Sequence, residues 1–224
     1  MDDGLVGAGV HNYRSGLEYN RGPPVARRKM INYTNRLDKA LRGAAWAHEQ
    51  QQQHRKGSDI PYIIHPVGVM MIASNVTADE DVLIACLLHD VLEDVDTSIY
   101  GEVEMRHDFG DRVVSIVKDV TNDATKSDWH ERSRAYLNHL EYEASDEAVI
   151  VSASDKIHNL LSVLADYDVH GDELWDRFST KNSADQVWWY TAILNVITKR
   201  GVSKDLSNTL AEQIAALQAQ LAKA

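Results

Sequence analysis

A single cysteine, Cys86, stands among 224 residues, so no disulfide can close within the chain and a reducing compartment is expected. Proline is scarce too, with four, and phenylalanine occurs twice. Alternating β-branched or aromatic runs are rare, while Ala, Leu, Glu, Lys and Gln abound. Together these argue against a sheet and favour an all-α fold. Basic residues are also short: 23 Lys and Arg against 34 Asp and Glu leave a net charge of −11. That balance argues against nucleic acid as a main partner, because a phosphate backbone seeks a basic surface. It does not exclude a small phosphorylated substrate, which a metal and a few local cations can hold inside an acidic protein. The N-terminal MDDGLVGAGVHNYRSG has no apolar core of signal-peptide type, and no later run reads as long enough to span a bilayer. The expectation is a soluble cytoplasmic protein without membrane contact.

What is present suits one domain with terminal extensions. Residues 1–28, rich in Gly and polar residues and broken by Gly22-Pro23-Pro24, read as a flexible extension. Residues 29–200 read as the domain, and 201–224 as a final Ala- and Leu-rich helix that packs on the domain or on a second copy. Within the domain, apolar periodicity predicts a helix over 29–53. A Gly-, Ser- and Pro-bearing loop follows over 54–61, and then a helix in which Pro66 occupies the first turn and His65 precedes it. Thr77 and Glu80 have the spacing of a capping box and open the next helix; Asp96, Thr97 and Ser98 end it and cap the one after. The stretch 102–108 reads as mostly solvated. Val113, Val114, Ile116, Val117 and Val120 mark a buried helical face, and Ala148 to Leu164 a second strongly apolar helix. Over 185–199, Trp188, Trp189 and Tyr190 gather near one face, lining or covering a pocket.

The most informative stretch is LIACLLHDVLED, Leu83 to Asp94. On a continuous helix His89, Glu93 and Asp94 fall near one face. An apolar helix that buries such groups must compensate them, and a divalent metal does so. His89 and Asp90 offer an imidazole nitrogen and a carboxylate oxygen to one ion. Taken alone, an amphipathic helix with a solvated acidic end fits equally well. A histidine before proline is more often a cap or surface group, and a buried Asp155 can be a structural acid paired with a nearby cation.

Four blocks in order change this weighting: RKGSDIPYIIHP (Arg55 to Pro66), LLHDVLED, FGDRVVSIVKDVT, and SDKIHN (Ser154 to Asn159). Over roughly Arg36 to Tyr167 they resemble the HD-domain phosphohydrolases. More closely they are similar to the hydrolase domain of the RelA/SpoT family and its stand-alone small alarmone hydrolases of the metazoan SpoT homologue type. The resemblance implies an HD-domain helical bundle around a central metal site with His65, His89, Asp90 and Asp155 as ligands. The ion implied is Mn²⁺, with Fe²⁺, Zn²⁺ or Co²⁺ as substitutes. It implies Glu93 and Asp94 as the catalytic acids that accept a proton from water or orient it. For the substrate it implies Arg55, stacked on a purine, with Lys56, Asn159 and Ser162; Lys126 and Arg132 are candidates to reach a diphosphate.

The implied reaction is removal of the 3′-diphosphate of (p)ppGpp, giving GDP or GTP and pyrophosphate. Too few residues remain for the family's synthetase domain, so hydrolysis alone is expected. One departure bears on specificity: Leu161 stands where the family commonly has Arg. Another nucleotide therefore stays open, such as an adenosine alarmone, a deoxynucleotide, a nucleoside monophosphate or NADPH. A non-catalytic or antitoxin-like partner of an alarmone synthetase is a reading of a different class.

Overall fold

A computed structural model describes residues 31–223. The extension expected over 1–28 lies outside the described residues. Ten α-helices and one 3₁₀ segment follow one another, and no strand forms among the described residues. The all-α expectation is therefore met. The sole extended pairing there is an isolated antiparallel bridge between His54 and Pro61.

Helix α1 runs Asn35–Gln50, shorter at both ends than the periodicity suggested. Thr34 starts it by accepting from the Leu37 amide, and Leu37, Ala40, Ala44, Ala47 and His48 recur at three- and four-residue steps on its buried face. Helix α2, Ile64–Ala73, carries His65 and Pro66 in its first turn, where proline's missing N–H has no helical partner to lose. Helix α3, Glu80–Leu88, is buried at every position from Val82 to Leu88. Burial of each of its larger side chains stabilises the fold by about 1.5–3 kcal/mol.

Two local readings are corrected at the ends of α3. The capping box does not form: Asp79 caps the helix by accepting from the Asp81 amide, and Thr77 Oγ1 accepts from the Asp79 amide. Glu80 instead accepts hydrogen bonds from Thr34 and Arg36. The helix also does not continue to Asp94. It stops at Leu88, and after His89 and Asp90 a single turn, α4, covers Val91–Asp94. Asp96 then accepts from the Ser98 amide within a turn, and Gly101 precedes α5, Glu102–Phe109. The stretch 102–108 is mostly solvated as expected, with Met105 alone buried in it and Phe109 buried just beyond.

Helix α6 spans Asp111–Val120 and α7 Trp129–Tyr142, followed by the long α8, Asp146–His170. The valine and isoleucine face read for α6 is buried as expected. The 3₁₀ segment Gly171–Arg177 leads to α9, Ser183–Arg200, and α10, Lys204–Leu221. Helix α8 is the axis of the domain, packed against α2, α3, α6, α9 and α10. With the 3₁₀ segment it is long and apolar enough to cross a bilayer, contrary to the sequence expectation; yet 56% of its most apolar window is buried in the protein, as in a core helix. Helix α10 packs on α8 and α9 through Leu206, Leu210, Ile214 and Leu217.

Candidate functional site

Two interruptions bring the site residues together. At the α3–α4 break the run of α-helix is interrupted, although His89 (φ −60°, ψ −34°) and Asp90 (φ −91°, ψ −7°) keep right-handed helical backbone angles, and both side chains reach the same cluster. At the start of α2 the Pro66 turn sets His65 opposite them. Asp155 arrives from the middle of α8. His65 Nε2 lies 3.3 Å from His89 Nε2, 3.1 Å from Asp155 Oδ1 and 3.4 Å from Asp90 Oδ2. His89 Nε2 lies 3.1 Å from Asp90 Oδ2 and 3.7 Å from Asp155 Oδ1. The donor atoms of His65, His89 and Asp155 all fall within 4.8 Å of one another. His65, His89 and Asp155 are buried.

The groups behind these donors orient them. His89 Nδ1–H donates to the Cys86 carbonyl at 2.8 Å, leaving Nε2 as the lone pair that faces the cluster. His65 Nδ1 lies 2.9 Å from His158 Nδ1; in the tautomer that leaves His65 Nε2 open, His65 donates. Burial, with His65 and Arg55 nearby, pushes His158 down to about 4, so it stays neutral and can accept. Tyr62 Oη donates to Asp90 Oδ2 at 2.6 Å. Lys156 pairs with the outer oxygen, Asp155 Oδ2, while Asn159 Nδ2 donates to Oδ1. Burial opposes the charge on both acids. Even so, His89 and His65 hold Asp90, and Lys156 with the two histidines holds Asp155, well below the usual carboxylate range. His89 is correspondingly held high, against its burial, by Asp90 and Asp155.

His65, His89 and Asp155 form a compact donor group, and Asp90 Oδ2 lies beside both imidazoles; two nitrogens and carboxylate oxygens of this kind are compatible with a divalent cation.

Of this cluster, His65, Asp90 and Asp155 line the wall of a cavity of about 1050 Å³, and His89 sits behind them. Arg55 and Lys56 enter it from the 54–61 loop, Glu93 and Asp94 from α4, Arg132 from α7, and Asn159, Ser162 and Leu161 from α8. Arg55 Nη2 donates to Asn159 Oδ1 at 2.9 Å and to Ser162 Oγ at 3.4 Å, and its guanidinium sits 5.8 Å from the Tyr62 ring centroid. Glu93 accepts from the Asn122 amide and side chain at 3.0 Å. Burial first, then Asp90 and Glu93, pushes Asp94 up to about 6. Leu161 is 42% exposed at the cavity edge.

One proposed contact is not brought in. Lys126 lies outside the cavity wall, paired with Asp123 Oδ2 at 2.9 Å, a partner three residues away that the solvated loop supplies. Arg132 reaches the wall but spends one donor on the Lys126 carbonyl at 3.0 Å. Of the aromatic trio, Trp189 and Tyr190 line the cavity. Trp188 turns away, 36% exposed, to meet Trp129 with ring centroids 5.7 Å apart.

Several site groups carry no strong sequence signal. Tyr62, Lys156 and His158 stand inside the quoted blocks and could have been singled out by adjacency. Nothing local marks Trp129, Gln53 or Arg177. Cys86 is wholly buried, and burial pushes its thiol up, so it is no competing ligand.

An all-α domain built around paired His and Asp donors is an HD domain. The HD domain family model matches residues 40–182, and the chain belongs to that family. It is similar to a guanosine-3′,5′-bis(diphosphate) 3′-pyrophosphohydrolase MESH1 of Drosophila melanogaster, 33% identical over 77% of this chain and 89% of that protein. The Xenopus tropicalis protein of that name is 40% identical over 51% of this chain, a match that spans 63% of the relative's own length. Among solved structures, a metazoan ortholog of SpoT, described as hydrolysing ppGpp, superimposes with a TM-score of 0.68. The two are 26% identical over 83% of this chain and 97% of that one.

Proposed function

We propose that the protein is a metal-dependent phosphohydrolase that removes the 3′-diphosphate of guanosine 3′,5′-bis(diphosphate), yielding GDP and pyrophosphate. The observation that carries this reading is the meeting of His65, His89, Asp90 and Asp155 beside a cavity into which Arg55, Lys56 and Arg132 bring positive charge. The activity named for the relatives supports it. His65, His89, Asp90 and Asp155 would hold the ion, which we assign as Mn²⁺ because two imidazoles and two carboxylates suit a mid-row divalent metal. When bound, such an ion makes water more acidic and offsets charge building at phosphorus.

The chain's own groups do the rest. Glu93, oriented by Asn122, takes the proton of the attacking water. Asp94, partly protonated near neutral pH, shares that proton or orients the same water. Oxygen adds to the phosphorus attached at the ribose 3′-oxygen; the bond from phosphorus to that oxygen breaks, and the 3′-oxygen leaves as a hydroxyl by taking up the proton that Glu93 and Asp94 received from the water. Arg55 stacks on the purine, held flat by Asn159 and Ser162. Lys56 and Arg132 supply positive charge to phosphate oxygens. Lys156 keeps Asp155 ionised.

A second reading rests on Leu161. An exposed apolar side chain at the rim offers no hydrogen bond to a guanine edge, so an adenosine substrate would meet the same contact. The test is purified protein with Mn²⁺ and either alarmone, with products separated by anion exchange and EDTA as control. Metal-dependent GDP and pyrophosphate support the guanosine reading. Turnover of the adenosine compound alone moves the base preference, and turnover of neither removes the proposed substrate.

A further inference from the structure

Arg177 takes no part in the mechanism above, yet it reaches the cavity from the 3₁₀ segment after α8. Its Nη1 donates to Asp166 Oδ2 at 3.3 Å and lies 3.5 Å from the Lys56 carbonyl oxygen. Neither Nε nor Nη2 makes a hydrogen bond among the described residues, so the guanidinium keeps donors to spare at the cavity wall. Its position is set by the loop opposite. Gly57 has φ +72°, and a Cβ built there would lie 2.5 Å from Arg177 Nε, so the guanidinium rests directly on that backbone. Lys56 is the adjoining residue, with Nζ 5.6 Å from the Phe178 ring centroid, which gathers a second cation at the same end.

The distance from the metal cluster comes from α8. Asp155, Asn159, Ser162 and Asp166 recur at three- and four-residue steps and all line the cavity. Eleven residues separate Asp155 from Asp166, which at the helical rise is about 16 Å. The cavity thus carries the His–Asp cluster at one end and a cationic pair at the other, with Arg55 between them. A nucleotide phosphorylated at one ribose oxygen has one anionic end. One phosphorylated at both the 3′ and 5′ oxygens has two, on opposite sides of the sugar.

Resting on the proposed reaction, we propose that Arg177, seated on Gly57 beside Lys56, forms a second anion subsite that binds the uncleaved 5′-phosphates, and that it sets preference for doubly phosphorylated nucleotides. Asp166 occupies part of the guanidinium in the free protein and yields to phosphate, a bidentate acceptor that matches the planar fork better.

The test compares Arg177→Ala and Arg177→Lys with wild type in the Mn²⁺-loaded protein, on guanosine 3′,5′-bis(diphosphate) and on guanosine 3′-diphosphate with a free 5′-hydroxyl. Arg177→Ala should raise KM for the first about tenfold, leave its kcat within about twofold, and leave KM for the second unchanged. Arg177→Lys should restore part of the loss. Equal KM changes on both substrates would overturn the proposal, because Arg177 would then only shape the loop; no change on either would overturn it as well. Binding of GDP to the same proteins supplies an arm independent of turnover. Should wild type cleave neither substrate, the reaction reading falls, while a roughly tenfold weaker GDP affinity in Arg177→Ala still upholds the anion subsite and an unchanged affinity removes it.

Discussion

Arg55 and Asn159 lie 104 residues apart in the chain and meet at 2.9 Å, guanidinium to amide oxygen. The same amide donates through Nδ2 to Asp155, so one side chain joins Arg55 to Asp155. On the proposed roles of those two residues, Asn159 would couple substrate binding to metal orientation. The single variants Arg55→Ala and Asn159→Ala should each lower kcat/KM, and the double variant should lose less than their sum, with a coupling of about 1 kcal/mol. Strict additivity in steady-state kinetics would separate the two roles.

Glu93 is held by two donors of Asn122 and lies outside the donor cluster. Glu93→Gln keeps the shape while losing the basic oxygen. It should retain full metal content by elemental analysis and lose about 10²–10⁴-fold in kcat. Near-normal turnover would remove Glu93 from the proton transfer. Asn122→Ala, which frees the carboxylate without removing it, should cost about tenfold.

Asp94 is a carboxyl raised by burial and by its neighbours Asp90 and Glu93 to about 6, above its ordinary 3.8. The folded state binds this proton more tightly than the unfolded chain does. Its stability contribution is thus fully present below pH 3.8 and is lost as pH rises through 6. In metal-free protein Asp94→Asn should match wild type near pH 4 and exceed it at pH 8 by about 2 kcal/mol, read from urea midpoints. A variant no more stable than wild type at pH 8 would contradict the assignment.

His158 supports His65 from outside, and it fits only because residue 68 is glycine. A Cβ on Gly68 would stand 2.1 Å from the His158 ring. Both His158→Ala and Gly68→Ala should weaken metal binding about 10–100-fold, by removing the partner or by pushing it aside. Competition against a chelating dye measures this directly. Unchanged affinity in His158→Ala would show that packing alone orients His65.

Metal removal should lower thermal stability, because the ion binds a cluster that the unfolded chain does not assemble. At a free ion concentration about 100 times Kd the expected gain is about 2.7 kcal/mol, visible as a Tm rise that Asp155→Ala abolishes. An equal rise in Asp155→Ala would place the ion elsewhere.

The sequence by itself determined what depends on near neighbours. Apolar spacing in α1, α6 and α8, and Pro66 in the first turn of α2, are set by hydrogen bonds and packing within a few residues. The helical class and most element positions were legible for that reason. His65, His89, Asp90 and Asp155 could be named as candidates there, because each stands in a short block whose order along the chain is distinctive.

What only the tertiary structure decided depends on groups distant in sequence. Competition by Arg36 and Thr34 for Glu80 replaced the expected capping box with an Asp79 cap. The meeting of His89 and Asp90 with His65 and Asp155 depends on how α2 and α8 pack against the end of α3. The resemblance makes Lys126 a candidate to reach a diphosphate, whereas the packed structure pairs it with Asp123 outside the cavity wall. Arg177 read as nothing at all, since its role rests on the lack of a Cβ at Gly57, 120 residues earlier in the chain. Local propensity and burial pattern are written along the chain, whereas steric access and the choice among several charge partners exist only once the helices have packed.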